Sequence, residues 1–281
     1  MPDCSHPDPD PASAARAWQA SLQLGFARDG ATTRLLRREH RGPLRVQKAL
    51  YPEGPDTCHV IVVHPPGGVV GGDRLSIAID AGADCRVLAT SPGAAKWYRS
   101  NGRVSMQQVL LRAGAGAAIE WLPQESIFYD DAQVALEHEV ELAAGACYLG
   151  SEILCFGRQA AGERFMQGRV RQRTRIRQAG RLLWWEQGSL DPAAIASPLG
   201  LSGGAVCATF LAVGPPAPPS VLAGLRAADP RLGLSQVKSV LVARHLGDDG
   251  EAARLAMLRV WQALRLHYLG RAACAPRIWN T

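Results

Sequence analysis

Along most of this chain apolar and polar residues alternate with period two, the spacing at which successive side chains of an extended strand point to opposite faces. Trp18, Ala20, Leu22, Leu24 and Phe26 open the pattern, and CHVIVVH, RLSIAID, ADCRVLAT and VSMQQVLLR continue it. It returns in QVALEHEVEL, GRVRQRTRIRQ, GAVCATFLAVG and QVKSVLVAR, with Gly, Pro, Asn or Asp clusters between many of the segments. A dozen or so strands at roughly ten-residue spacing predict a mainly β protein: a sandwich, a barrel or a β-helix. The strand-helix alternation of a parallel α/β sheet is missing. No repeat of fixed period is visible, so any solenoid must be irregular.

One helix interrupts the pattern. Over Glu251 to Leu269, the residues Met257, Val260, Trp261, Leu264 and Tyr268 fall on one face. A second stripe, Leu255, Leu258, Leu266 and Leu269, lies nearly opposite, with Arg259 and Arg265 among it. Two apolar faces need two packing surfaces: either both lie within this chain, or one docks a partner. Residues 1–16, rich in Pro, Asp, Ser and Ala, read as a flexible tail, leaving 17–281 as one β-rich domain. A hydrophobic content of 47% with 20% charged residues excludes wholesale disorder. There is no apolar run of about eighteen residues or more and no secretory h-region, so the cytoplasm is the expected location. The seven cysteines are scattered singly, which fits reduced, buried thiols better than a disulfide framework or a closed zinc site. A net charge of +6 suggests an acidic partner without identifying it.

The stretch HPPGGVVGGDRL, residues 64–75, looks most like a functional loop. A phosphate cradle would need a lysine and a hydroxyl after Gly71 and Gly72, but Asp73 follows and would repel phosphate. A dinucleotide fingerprint must feed a helix, whereas RLSIAID alternates as a strand. Glycines that permit positive φ in a tight crossing, with Pro65 and Pro66 ending the preceding strand, account for the composition. Asp73 remains the functional candidate there, with His64 second. In SPGAAKWYRSNG, the run Lys96, Trp97, Tyr98 and Arg99 forms either a recognition patch or a solvated turn. GLSGG, residues 200–204, matches the nucleophile pattern G-x-S-x-G, with Asp229 and His245 following in hydrolase order. That elbow must enter a helix, and AVCATFLAVG reads as a strand; a serine hydrolase using Ser202 is kept as an alternative.

Metal ligands are scattered. Cys58 and His59 are strand neighbours and point apart, and Cys4 with His6 sits in the tail. More informative are acids in apolar surroundings: Glu152 in CYLGSEILCFG, Glu186 in RLLWWEQ, and Asp73. A buried carboxylate needs a partner, a hydrated passage or exposure. Hard oxygen ligands on a hydrated path could pass a divalent cation without trapping it; a salt bridge to one of the many arginines is the plainer reading. Arg169, Arg171, Arg173, Arg175 and Arg177 occupy alternate positions of one strand, and Glu137, Glu139 and Glu141 do the same in another. The arginine stripe could bind an acidic surface or phosphates, or the two stripes could pair if the strands are neighbours. A nucleic-acid-binding module would need aromatics interleaved with the arginines, and GRVRQRTRIRQ has none.

Taken in order, GPLRVQKALYPEG, CHVIVVHPPGGVVGGDRL, ATSPGAAKWYRS, AIEWLPQESIFYDDA, SEILCFGRQAAGERF and the C-terminal PRIWNT resemble one family, the urease accessory proteins of the D type, called H in some organisms. The resemblance runs from Trp18 to the last residue. It implies an elongated, β-helix-like stack of sheets with one or two helices, including a C-terminal one. It also implies a maturation factor and not an enzyme: with accessory protein F and the GTPase accessory protein G, such a chain docks on apo-urease and helps deliver nickel, held only transiently. Members carry water-filled passages for the ion. On that resemblance Asp73, Glu152 and Glu186 line or gate a nickel route, with His64 a weaker fourth. The partner contacts fall to Lys96, Trp97, Tyr98 and Arg99 and to Leu258 and Leu266 of the C-terminal helix. No tightly bound cofactor, nucleic acid or membrane is implied.

Overall fold

A computed structural model describes residues 17–280, so the tail expected over residues 1–16 lies outside the described residues. The strands are β1 (Gln19–Asp29), β2 (Thr32–Arg41), β3 (Arg45–Val46), β4 (Thr57–Val63), β5 (Arg74–Ala81), β6 (Arg86–Thr90), β7 (Ala95–Trp97), β8 (Ser105–Ala113) and β9 (Ala118–Leu122). They continue as β10 (Ser126–Phe128), β11 (Gln133–Leu142), β12 (Cys147–Phe156), β13 (Arg169–Gln178) and β14 (Arg181–Leu190), then β15 (Val206–Val213), β16 (Gly233–Val237) and β17 (Val240–Gly247). Three helices accompany them: α1 (Pro192–Ala196), α2 (Pro219–Ala228) and α3 (Gly250–Leu269).

The chain winds between two sheets. The first has the order β14-β13-β11-β8-β5-β1-β2 and the second β16-β17-β15-β12-β9-β6-β4-β3. Within them β1, β5, β8, β11 and β13 run parallel, as do β4, β6, β9 and β12. Each coil therefore lays one strand on each sheet, as in a β-solenoid. Thr57, Arg86 and Ala118 stand in one row with Cys147, and the coils between them differ in length, which is why no fixed period shows in the sequence. Antiparallel strands β2 and β14 end the first sheet, and β15, β17 and β16 extend the second.

The inward faces of both sheets form one core, with Leu22, Leu24, Ile79 and Leu111 facing Val60, Val87 and Ile119. The outer face of the second sheet forms another core under α3, where Leu149, Phe210 and Leu241 meet Met257, Val260, Trp261 and Leu264. Strands of that sheet are covered on both sides, so CYLGSEILCF reads as a nearly continuous apolar run. The outer face of the first sheet carries a ladder of alternating charge. Arg37, Asp80, Arg112, Glu141 and Arg177 share one row, with ion pairs of 3.5, 3.4 and 2.8 Å joining the first four. The arginine and glutamate stripes are neighbours, as β13 and β11, and pair at Arg173–Glu137 (2.8 Å) and Arg175–Glu139 (3.0 Å).

Helix α3 starts on Asp249, whose side chain accepts from the Glu251 N–H at 2.9 Å, and stops at Gly270 in the left-handed region. Its anticipated core face is buried except at Tyr268, which is half-buried, and of the second stripe Leu255 and Leu266 are exposed. Arg265 departs from that stripe: it is fully buried, because its guanidinium is the counter-charge of two carboxylates. Its Nε donates to Glu120 at 2.9 Å and its Nη2 to Glu53 at 2.7 Å, while Nη1 donates to the Ala272 carbonyl. Trp261 Nε1 donates to Glu120 at 2.5 Å, and His59 lies 2.6 Å from Glu53. QVKSVLVAR is not one strand but a hairpin, since Lys238 adopts a φ of +55° between β16 and β17; a lysine gives no turn signal there.

Candidate functional site

A cavity of roughly 350 Å³ lies between the two sheets. The first sheet contributes Ile77, Gln107, Val109, Leu136, His138, Gln172 and Glu186; the second contributes Thr90, Trp121, Tyr148, Glu152 and Thr209. Turns between the sheets, including His64 and Ser91 to Ala94, line one side together with Ala95 and Lys96 of β7. The structure thus brings three of the four residues expected on the nickel route, His64, Glu152 and Glu186, to one space.

Glu152 interrupts a buried stretch of β12: Gly150, Ser151, Ile153 and Leu154 are buried and Glu152 is half-buried, because its side chain enters the cavity. Burial and then the nearby Glu186 carboxylate push its carboxyl up to about 7, against a hydrogen bond from Gln172 and the charge of Arg244. Glu186, on the end strand β14, accepts from Arg244 Nη2 at 2.6 Å. The plain salt-bridge reading therefore holds for Glu186 and not for Glu152. His64 is half-buried, and burial holds its imidazole below the ordinary range, with Asp73 opposing. A neutral imidazole is the form that can ligate a cation.

Asp73 is placed differently. It is buried at the foot of the crossing and does not line the cavity. Its Oδ1 accepts from the Trp18 N–H at 2.8 Å and its Oδ2 from the Val70 N–H at 3.1 Å, so the carboxylate fastens the loop to the start of β1. The crossing is as tight as the glycines suggested. A Cβ on Gly68 would stand 2.2 Å from the Tyr98 ring, and Gly72 has a φ of +96°.

The segment beside it divides. Lys96 and Arg99 are exposed, and Tyr98 is half-buried edge-on against Tyr129. Trp97 is completely buried and stacks on Phe128, so as a recognition residue it is corrected: period-two alternation turns it inward at β7. Leu266 is exposed and Leu258 half-buried beside Met257, Trp261 and Trp279. Ser202 sits at a φ of +49° in a loop that enters strand β15, so the nucleophile elbow is not built. Asp229 and His245 approach each other at 3.8 Å, and Ser202 Oγ donates to the Pro198 carbonyl at 3.4 Å. Among the described residues no three His, Cys, Asp or Glu side chains converge as a metal-holding group. No helix among them is long and apolar enough to cross a membrane.

One cavity residue escaped the sequence reading. His138 lies between Leu136 and Val140 on the inward face of β11, bonded to the Tyr148 hydroxyl at 2.8 Å, and burial holds its imidazole near 4. The signal was available, since the alternation that sends Glu137 and Glu139 outward sends His138 in.

The family profile described as UreD urease accessory protein matches residues 19–280. The chain belongs to the UreD family. Among its relatives the urease accessory protein UreD of Janthinobacterium sp. (strain Marseille) is 55% identical, covering 94% of this chain and 92% of its own length. That of Nitrosospira multiformis is 48% identical, with 94% and 98% covered, and that of Dechloromonas aromatica 47%, with 94% and 95%. Membership in a family of UreD accessory proteins, with no elbow at Ser202, sets the hydrolase alternative aside.

Proposed function

We propose that this UreD-family chain is a urease maturation factor acting in the cytoplasm with accessory protein F and the GTPase accessory protein G. It docks on apo-urease and offers nickel a passage between its two sheets. The observation that carries the reading is the cavity, into which Glu152 and Glu186 project from opposite sheets while His64 stands at the turn side. Oxygen ligands and a neutral imidazole suit a hard-to-borderline divalent cation, and scattered ligands release it readily. Asp73 enters by fastening the loop that presents His64.

The test is urease activation in a reconstituted system. Glu152→Ala and Glu186→Ala chains should assemble with accessory protein F as the parent does and activate urease roughly tenfold less, the loss expected when ligand-supporting groups are removed. Undiminished activation by both variants overturns the passage.

A further inference from the structure

The last-coil end of the cavity is spanned by an ion pair that joins the sheets. Glu186 lies on β14, the end strand of the first sheet, and Arg244 on β17 of the second. Arg244 shares a row with Thr209 of β15 and, through it, with Glu152 of β12. Its Nη2 reaches Glu186 Oε1 at 2.6 Å. Glu152 and Glu186 line the cavity, whereas Arg244 does not, and its side chain is 47% exposed against 24% for Glu186. The guanidinium therefore sits on the solvent side of a carboxylate that faces the interior. Cys207, on the same face of β15 as Thr209, is half-buried within the field of Glu152, Arg244 and Glu186. An ion pair this exposed is held weakly and exchanges readily.

We propose that Arg244 is a gate: paired with Glu186 it closes the last-coil end of the inter-sheet cavity, and a divalent cation that takes Glu186 from it opens that end. This rests on the passage reading for its cargo but not for its geometry. Arg244 is here a positioning residue, with no contact to the cargo. Two states follow, one in which Glu186 belongs to the arginine and one in which it belongs to the cation.

Opening at the ion pair is read at Cys207, which lies beside it on β15 and outside the cavity lining, by peptide-resolved alkylation of the native full-length chain with iodoacetamide, with the fully buried Cys58 as internal reference. Arg244→Ala should raise the Cys207 rate roughly threefold or more, the scale on which an exposed ion pair acts, and leave Cys58 unchanged. Loss of the arginine's charge by itself disfavours the thiolate, so a rise reports access. Arg244→Lys, which keeps a cation, should stay near the parent. No rise in Arg244→Ala overturns the gate, and so does an equal rise at Cys58, which would make the pair a support of the fold. The measurement uses neither nickel nor urease. If Cys207 opens while Glu152→Ala and Glu186→Ala activate urease normally, the gate stands and the passage reading fails.

Discussion

Glu152 shows how much one side chain can depend on what faces it. In β12 it has the sequence surroundings of a core position, and its carboxyl, pushed up to about 7 by burial and then by Glu186, keeps a proton that the unfolded chain releases nearer 4.5. The stability linked to that proton is fully present below about 4.5 and is lost as pH rises through 7. Glu152→Gln mimics the protonated form. It should unfold at the same urea concentration as the parent at pH 5 and be more stable by roughly 2 kcal/mol at pH 8. A difference independent of pH would mean that Glu152 is hydrated or paired throughout. Both acids were legible in the sequence as anomalies; that Glu186, 34 positions away on another sheet, faces Glu152 was not, because the pairing depends on how the coils stack.

At the scale of elements, the strands and the C-terminal helix were legible because alternation and helical periodicity are local. The turn at Lys238 and helix α2 were not, since neither carries a strong local signal. The burial of Arg265 was hidden for a different reason: its partners Glu53 and Glu120 come from loops and strands far away in the chain. Burial pushes the Glu53 carboxyl up, but hydrogen bonds from His59 and Arg265 outweigh it and hold it near 2. Removing the guanidinium would leave two buried carboxylates without a counter-charge. Arg265→Ala should cost about 3–5 kcal/mol in chemical denaturation, and adding Glu120→Gln should recover part of it. Additive losses in the double variant would contradict a shared network.

The whole molecule presents two unlike surfaces. The outer face of the first sheet is a ladder of alternating charge, in which Arg173 and Arg175 of the arginine stripe pair with Glu137 and Glu139, and Arg112 with Glu141. The opposite side bears α3, whose Leu255 and Leu266 remain exposed. The proposed docking of accessory protein F is assigned to this side: Leu266→Glu should weaken its pull-down at least about tenfold while leaving thermal unfolding unchanged, and undiminished capture would move the interface elsewhere. The solenoid topology could not be read from the sequence because its coils are unequal, although the resemblance carried by the ordered motifs implied it. The ion cluster under α3 also orders events in time. Glu53 and Glu120 leave the ribosome 212 and 145 residues before the arginine that neutralises them. Until α3 is translated, both carboxylates must stay hydrated and the apolar back of the second sheet stays bare. The nascent chain is thus vulnerable to aggregation until α3 has emerged, and a premature stop upstream of Arg265 leaves the backs of β12, β15 and β17 uncovered.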